Sequence, residues 1–184
     1  FQEAVIHSAY MYKLLGKYDE AVKVVVAGIK EKPNVPQFYA FYASLLEESK
    51  EYKRALVMLN DAVKKFPNHT QLRFFLGSMH DRLGNYQLTI ANMKKVIEID
   101  ENHIQALNYL AYTYAEQSEN LMEAEELALR ALGLNPQDGY ILDTVGWVMF
   151  KQGKMKEAIK YLEAAYKNIS TESIIAEHLG DVYY

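Results

Sequence analysis

The sequence has no cysteine, only four prolines and a single tryptophan among its 184 residues. Without cysteine, disulfide bonds, thiolate zinc sites and cysteine nucleophiles are all excluded. Basic residues are also too few for a protein that binds a phosphate backbone, because 20 lysines and arginines stand against 24 acidic residues. The net charge of −4 therefore argues against a nucleic acid partner. No apolar run approaches the roughly 18 residues of a membrane-spanning helix, so we expect no transmembrane segment.

What is present is typical of a globular chain, with 50% hydrophobic and 24% charged residues. The sequence begins Phe1-Gln2-Glu3-Ala4, without an initiator methionine or a charged segment before an apolar one. We therefore expect it to be an internal fragment of a longer protein.

The prolines reveal an internal repeat. Pro33 and Pro67 are 34 residues apart, and Pro67 and Pro136 are 69 apart, which is two such periods plus one residue. Cutting the chain at this period predicts one domain over residues 1–184, built from repeats 2–35, 36–69, 70–103, 104–138 and 139–172 and a partial sixth repeat, 173–184.

Small residues recur at fixed positions of this repeat, as close packing of helices requires. Position 8 holds only alanine or glycine: Ala9, Ala43, Gly77, Ala111, Gly146 and Gly180. Positions 20 and 27 are also mostly small, and they flank position 24, which is large in four of the five full repeats. Each repeat is thus predicted to be helix A, a turn and helix B.

Position 15 marks the turn between the two helices. It holds Gly16, Gly84 and Gly153, with Lys50 and Ser118 in the other two full repeats. The extra residue of repeat four is predicted to fall in this turn, between Glu116 and Leu121. The segment Val22–Val26 reads locally as a strand, but its place in helix B of repeat one predicts a helix.

These columns resemble the tetratricopeptide repeat, which has Gly or Ala at position 8, Ala at 20 and 27 and Pro at 32. The resemblance covers essentially the whole chain and implies an all-α, right-handed solenoid of helix-turn-helix repeats. Repeat three departs from the pattern with Arg73, His80 and Thr89. The segments around Tyr109, Val145 and Leu179 more weakly resemble bacterial, often lipid-anchored, exported adaptors of this family, which implies a periplasmic or outer-membrane-anchored protein; a cytoplasmic one is the alternative.

Family geometry implies that positions 2, 5, 9 and 12 of each A helix face a concave groove, and the helical period independently places them on one stripe. Six acidic residues and Lys13 give this stripe a charge of −5, so we expect a basic or neutral partner with aromatic or apolar residues. Trp147 is either an exposed anchor for a ligand or a core residue covered by the neighbouring A helix. The candidate peptide-binding residues are Tyr10, Phe74, Asp81, Asn108, Tyr112, Tyr140, Asp143, Trp147, Phe150, Glu177 and Asp181.

No motif for catalysis, metal binding or cofactor binding is present. The five histidines include no pair four residues apart, and there is no glycine-rich phosphate loop or nucleophile elbow. We therefore predict a non-catalytic scaffold or adaptor, without metal or cofactor, that binds a protein or peptide in the groove. The alternative is a structural self-assembly module, since the largely apolar segment Ser173–Tyr184 is expected to allow weak self-association.

Overall fold

The computed structural model describes residues 1–184 and contains eleven helices and no strand. Pro36 begins the third helix, at a position that needs no donor N–H. The helices are α1 (Gln2–Leu14), α2 (Tyr18–Glu31), α3 (Pro36–Glu48), α4 (Tyr52–Lys65), α5 (Thr70–Arg82), α6 (Tyr86–Ile99), α7 (Ile104–Gln117), α8 (Leu121–Leu134), α9 (Gly139–Lys151), α10 (Met155–Asn168) and α11 (Ser173–Tyr183). The all-α fold is as predicted, and Val22–Val26 lies within α2.

The turn at position 15 is confirmed. Gly16, Gly84 and Gly153 have φ angles of 69°, 73° and 76°. Lys50 and Ser118 adopt the same left-handed conformation, at 58° and 52°, despite the steric cost for a residue with a side chain. This residue ends each A helix and reverses the chain into helix B.

The extra residue of repeat four also lies where the sequence places it. Helix α7 continues to Gln117, and a second left-handed residue, Asn120 with φ 46°, precedes α8. Asparagine tolerates this conformation better than most residues. The insertion is therefore absorbed in the turn, and the small residue Ala124 of α8 remains fully buried.

The helices form two compact units, residues 1–99 and 100–184. In the first unit the fully buried side chains include Phe38, Leu46 and Leu59. In the second unit they include Leu107 and Leu162. Since burying one such side chain is worth about 1.5–3 kcal/mol, these residues are a principal source of stability in each unit. The single continuous domain over residues 1–184 stays a prediction.

Two of the three glycines at position 8, Gly77 and Gly146, are explained by close contact with the B helix of the same repeat. A Cβ atom on Gly77 would lie 2.9 Å from Cε of Met93, and one on Gly146 would lie 2.6 Å from Cγ of Leu162. Met93 and Leu162 both occupy position 24. A ridge on helix B therefore fills the groove left by the missing side chain on helix A.

Side chains also connect consecutive repeats by donating to loop carbonyls about one repeat earlier. Lys65 Nζ lies 2.6 Å from the Pro33 oxygen, and Asn168 Nδ2 lies 2.9 Å from the Gln137 oxygen. Arg130 makes the same kind of bond to Glu101. These bonds satisfy backbone oxygens that the helices leave unpaired. None of the eleven helices combines the length and the apolar character needed to cross a membrane.

Candidate functional site

The predicted site lies on the A helices, and we call the surface that they form in each unit the A-helix face. In the first unit it consists of α1, α3 and α5, and in the second of α7, α9 and α11. Neighbouring A helices are in contact within each unit, so residues at one position of successive repeats lie beside each other.

On the first unit, the three predicted residues differ in exposure. Tyr10 is 45% exposed. Phe74 and Asp81 are half-buried, and the ring of Phe74 lies edge-on to that of Phe75 with 6.5 Å between centroids. An aromatic ring and a hydroxyl thus remain available on α1, whereas Phe74 is partly used in packing.

A shallow depression of about 190 Å³ opens on this face between α1, α3 and α5. Its floor is apolar and its polar groups are two amides and one hydroxyl. It is lined by Ile6, Gln37, Ala40, Phe41, Ser44, Gln71 and Phe75. Phe41 and Phe75, at position 6, lie outside the predicted stripe, although the recurrence of an aromatic residue there could have identified them.

On the second unit, Trp147 is only 6% exposed. Its ring stacks on that of His178 from α11, with centroids 4.0 Å apart and an interplanar angle of 14°. The Phe150 ring stacks on the Trp147 ring with centroids 5.1 Å apart. Nε1 of Trp147 donates to a carboxylate oxygen of Glu116 at 2.7 Å. Lys151 Nζ lies 4.6 Å from the ring centroid. Of the two alternatives, Trp147 is therefore the residue covered by the neighbouring A helix, and not an exposed anchor.

Asp143 is likewise buried, with 5% exposure, and it pairs with His178, which is 3% exposed. Nδ1 of His178 lies 3.0 Å from both carboxylate oxygens of Asp143. Because an ionised carboxylate only accepts hydrogen bonds, Nδ1 carries the hydrogen. The prediction that Asp143 presents a charge to a ligand is corrected, since its carboxylate is used to hold α11 on α9.

The remaining predicted residues of this unit are accessible to different degrees. Glu177 and Asp181 are exposed and form no ion pair, and Tyr140 is 49% exposed. The hydroxyl of Tyr140 donates to Glu172 at 2.9 Å, and this hydrogen bond raises the pKa of Tyr140. Asn108, Tyr112 and Phe150 are half-buried.

Asn108 carries one unused acceptor. Its Oδ1 is shielded from solvent and has no hydrogen-bond partner. A carbonyl oxygen in this state costs free energy, and because it is shielded, a ligand N–H can reach it only after the Asn108 side chain turns outward.

The stripe charge of −5 is not all available to a ligand, because several of its charged groups already have partners. Glu47 accepts from Ser78 at 3.2 Å and lies 3.8 Å from Arg82, and Asp143 pairs with His178. Nζ of Lys13 lies 2.5 Å from Oε1 of Glu48, a residue outside the stripe. Two of the stripe carboxylates that form no ion pair, Glu177 and Asp181, lie on α11, and another, Glu3, lies on α1.

Sequence reasoning missed His178 and Glu116 as parts of this surface. They occupy positions 6 and 13, each one residue beyond a stripe position, and they reach the stripe from a neighbouring helix. No group of three or more His, Asp or Glu side chains is placed to hold a metal ion.

Comparison with known families agrees with the repeat architecture. Models of the tetratricopeptide repeat match residues 36–79, 70–103 and 109–173. A TPR repeat-containing protein of Pseudomonas aeruginosa is 43% identical over 76 residues, which are 41% of this chain and 13% of that relative. The chain thus matches only a small part of that longer protein.

Solved structures at low identity share the fold. A thermophilic TPR protein of Thermus thermophilus matches with a TM-score of 0.76 at 16% identity, covering 100% of this chain and 99% of that one. MamA of Desulfovibrio magneticus matches with 0.76 at 17%, covering 93% and 96%. YrrB, described as a TPR protein with an unusual peptide-binding site, matches with 0.72 at 16%, covering 96% and 90%. The matches to the family models, which together cover most of the chain, show that it belongs to the tetratricopeptide repeat family.

Proposed function

We propose that the chain is a non-catalytic scaffold or adaptor that binds a peptide segment of a partner protein on its A-helix face. Proteins of this architecture present extended surfaces built from successive repeats. The peptide-binding site described for YrrB is consistent with this role.

The observation that carries the proposal is the composition of the face on the second unit. Glu177 and Asp181 are exposed carboxylates without a cation, and Tyr140 is an exposed aromatic residue nearby in the repeat register. A peptide with a basic residue beside an aromatic or aliphatic one complements this set, because carboxylates attract the cation and the ring supplies apolar contact.

A displayed library of random 12-residue peptides, selected on the purified chain, tests the proposal. We expect enrichment of basic peptides whose affinity falls as salt rises, because the attraction is screened over about 10 Å at 0.1 M salt. The double variant Glu177→Gln, Asp181→Asn should weaken these peptides about three- to tenfold. Glu157→Gln, an exposed glutamate on α10, is the matched control and should leave them unchanged.

Failure to enrich any peptide, or selection of acidic peptides, would contradict the proposal. If the enriched basic peptides bind the double variant and the parent chain with equal affinity, their binding site is not on α11.

Self-association is a second candidate, and one observation favours it. Gly180 has no atom within 4 Å of where its Cβ would lie, although Gly146, at the same position of the preceding repeat, is in close contact with Leu162. Tyr183 is 60% exposed and Ile174 38% exposed on the same helix. We infer that the exposed apolar side chains of α11 support weak pairing between chains.

A further inference from the structure

We infer that the depression on the first unit is a separate binding site, for an uncharged apolar side chain in an extended peptide segment. The inference rests on the proposed function, since it treats the A-helix face as a peptide-binding surface. It adds a second site, with different chemistry from the acidic one on α11.

The first argument is the absence of charge in the lining. The floor is formed by Ile6, Ala40, Phe41 and Phe75, and no ionisable residue lines the depression. A charged side chain entering it would lose hydration and find no counter-charge, which costs several kcal/mol in an apolar site.

Two charged residues further along these helices already have partners, whereas Glu3, one turn before Ile6 on α1, is exposed and forms no ion pair. Lys13 pairs with Glu48 at 2.5 Å. Glu47 accepts a hydrogen bond from Ser78 and pairs with Arg82. Because no charged group lines the depression itself, an uncharged side chain is its electrostatic complement.

The second argument is the pair of amides at its rim. Gln37 and Gln71 occupy position 2 of successive repeats, and both are exposed. A carboxamide offers a donor and an acceptor, as a peptide backbone does, so two amides on adjacent helices can pair with the backbone groups that flank one inserted side chain. Ser44 does not compete for these bonds, because its hydroxyl donates to the Phe41 oxygen at 2.8 Å.

The same 12-residue peptide library, selected on the whole chain, tests this inference. We expect a class of enriched peptides with an uncharged aliphatic or aromatic residue, whose binding depends little on salt. The double variant Gln37→Glu, Gln71→Glu preserves side-chain shape but removes both donors, and it should weaken this class about tenfold. It should also tighten peptides that carry lysine at the inserted position, a gain that a merely structural defect would not produce.

Two further variants control for folding and for charge. Gln87→Glu makes the same change at an exposed site on α6, away from the depression, and should leave the class unchanged. Ser44→Phe fills the depression without adding charge and should abolish the class, while the basic peptides still bind at α11. Circular dichroism and the midpoint of thermal unfolding verify that each variant folds.

The inference is overturned if basic peptides bind as proposed but no uncharged class is found, or if that class is unaffected by both depression variants. If instead no peptide of any class binds the parent chain, the proposed function itself has failed. The two failures are therefore distinguishable in one selection.

Discussion

Gly146 and Gly180 occupy the same position of consecutive repeats but have opposite surroundings, and this difference gives a matched experiment. A methyl group on Gly146 would lie 2.6 Å from Leu162 Cγ and 3.1 Å from the Leu162 backbone nitrogen, which cannot move independently. We expect Gly146→Ala to lower the free energy of unfolding by about 1–3 kcal/mol, and Gly146→Leu by more. Gly180→Ala meets nothing and should be neutral or raise it by up to about 1 kcal/mol. Urea unfolding midpoints measure both, and equal midpoints would contradict this packing.

Trp147 gives a second prediction at the residue scale, through its own fluorescence. Because its ring is covered by His178 and Phe150, we expect blue-shifted emission and weak quenching by acrylamide. His178→Ala should red-shift the emission and increase quenching, since one face of the ring loses its cover. Strong quenching in the parent chain would instead restore Trp147 as an exposed anchor.

We expect His69 to lower the free energy of unfolding at acidic pH. Burial lowers the pKa of His69, with a smaller opposing effect from its backbone hydrogen bond, and its Nδ1 accepts from the Leu72 N–H at the start of α5. Protonation therefore favours the unfolded state, where the pKa is about 6.5. Stability should be constant above that pH and fall as the pH drops below it towards the lower folded pKa.

The variant His69→Asn can cap α5 without titrating. It should reduce the drop in thermal midpoint between pH 7.5 and 5.5. Burial lowers the pKa of His80 as well, so part of the drop should remain. An unchanged pH profile in His69→Asn would exclude His69 as a source.

At this scale the sequence was least informative. The stripe rule identified Trp147 and Asp143 by position, but their exposure depends on His178, which reaches them from the next A helix at a position outside the stripe. Which side chain covers another across two helices is decided by rotamers and local crossing geometry, and a one-dimensional pattern does not contain either.

At the scale of the element, α11 leaves part of its apolar surface uncovered by the rest of the chain. It buries Ile175, His178 and Val182, and leaves Ile174 and Tyr183 exposed. We expect weak self-association in sedimentation velocity as the protein concentration rises, because the exposed apolar side chains can be buried between two chains.

Ile174→Gln with Tyr183→Ser should abolish this association. Val57→Gln removes an equally apolar residue, 70% exposed on α4, and should not affect it. A parent chain that stays monomeric at the highest soluble concentration would contradict the prediction for α11.

Helices and turns could be predicted well because the same pattern of residues recurs in every repeat. One left-handed residue such as Lys50 gives no local signal, but its alignment with Gly16, Gly84 and Gly153 identifies the turn. In the same way Val22–Val26, which alone favours a strand, is a helix because it shares its position with α4 and α10. Tertiary packing of the repeat overrides local propensity there.

At the scale of the whole molecule, burial is unevenly distributed among helices. Helix α9 buries ten residues, whereas α1 buries only Ala9. Amide hydrogen exchange should therefore be slowest in α9 and fast in α1, because local opening costs little where few apolar groups are buried. Uniform protection along the chain would contradict this expectation. The division at residues 99 and 100 was not predicted, since the repeat pattern continues through it unchanged.

The bonds from Lys65 to Pro33, from Asn168 to Gln137 and from Arg130 to Glu101 each reach back about one repeat. Each of these bonds joins only neighbouring repeats. When the two ends are pulled, we therefore expect the repeats to unfold one after another, from the ends inward. Each repeat would release about 110 Å of contour as it opens, given 34 residues of extended chain. A force–extension curve would then show a series of small, similar unfolding steps at low force.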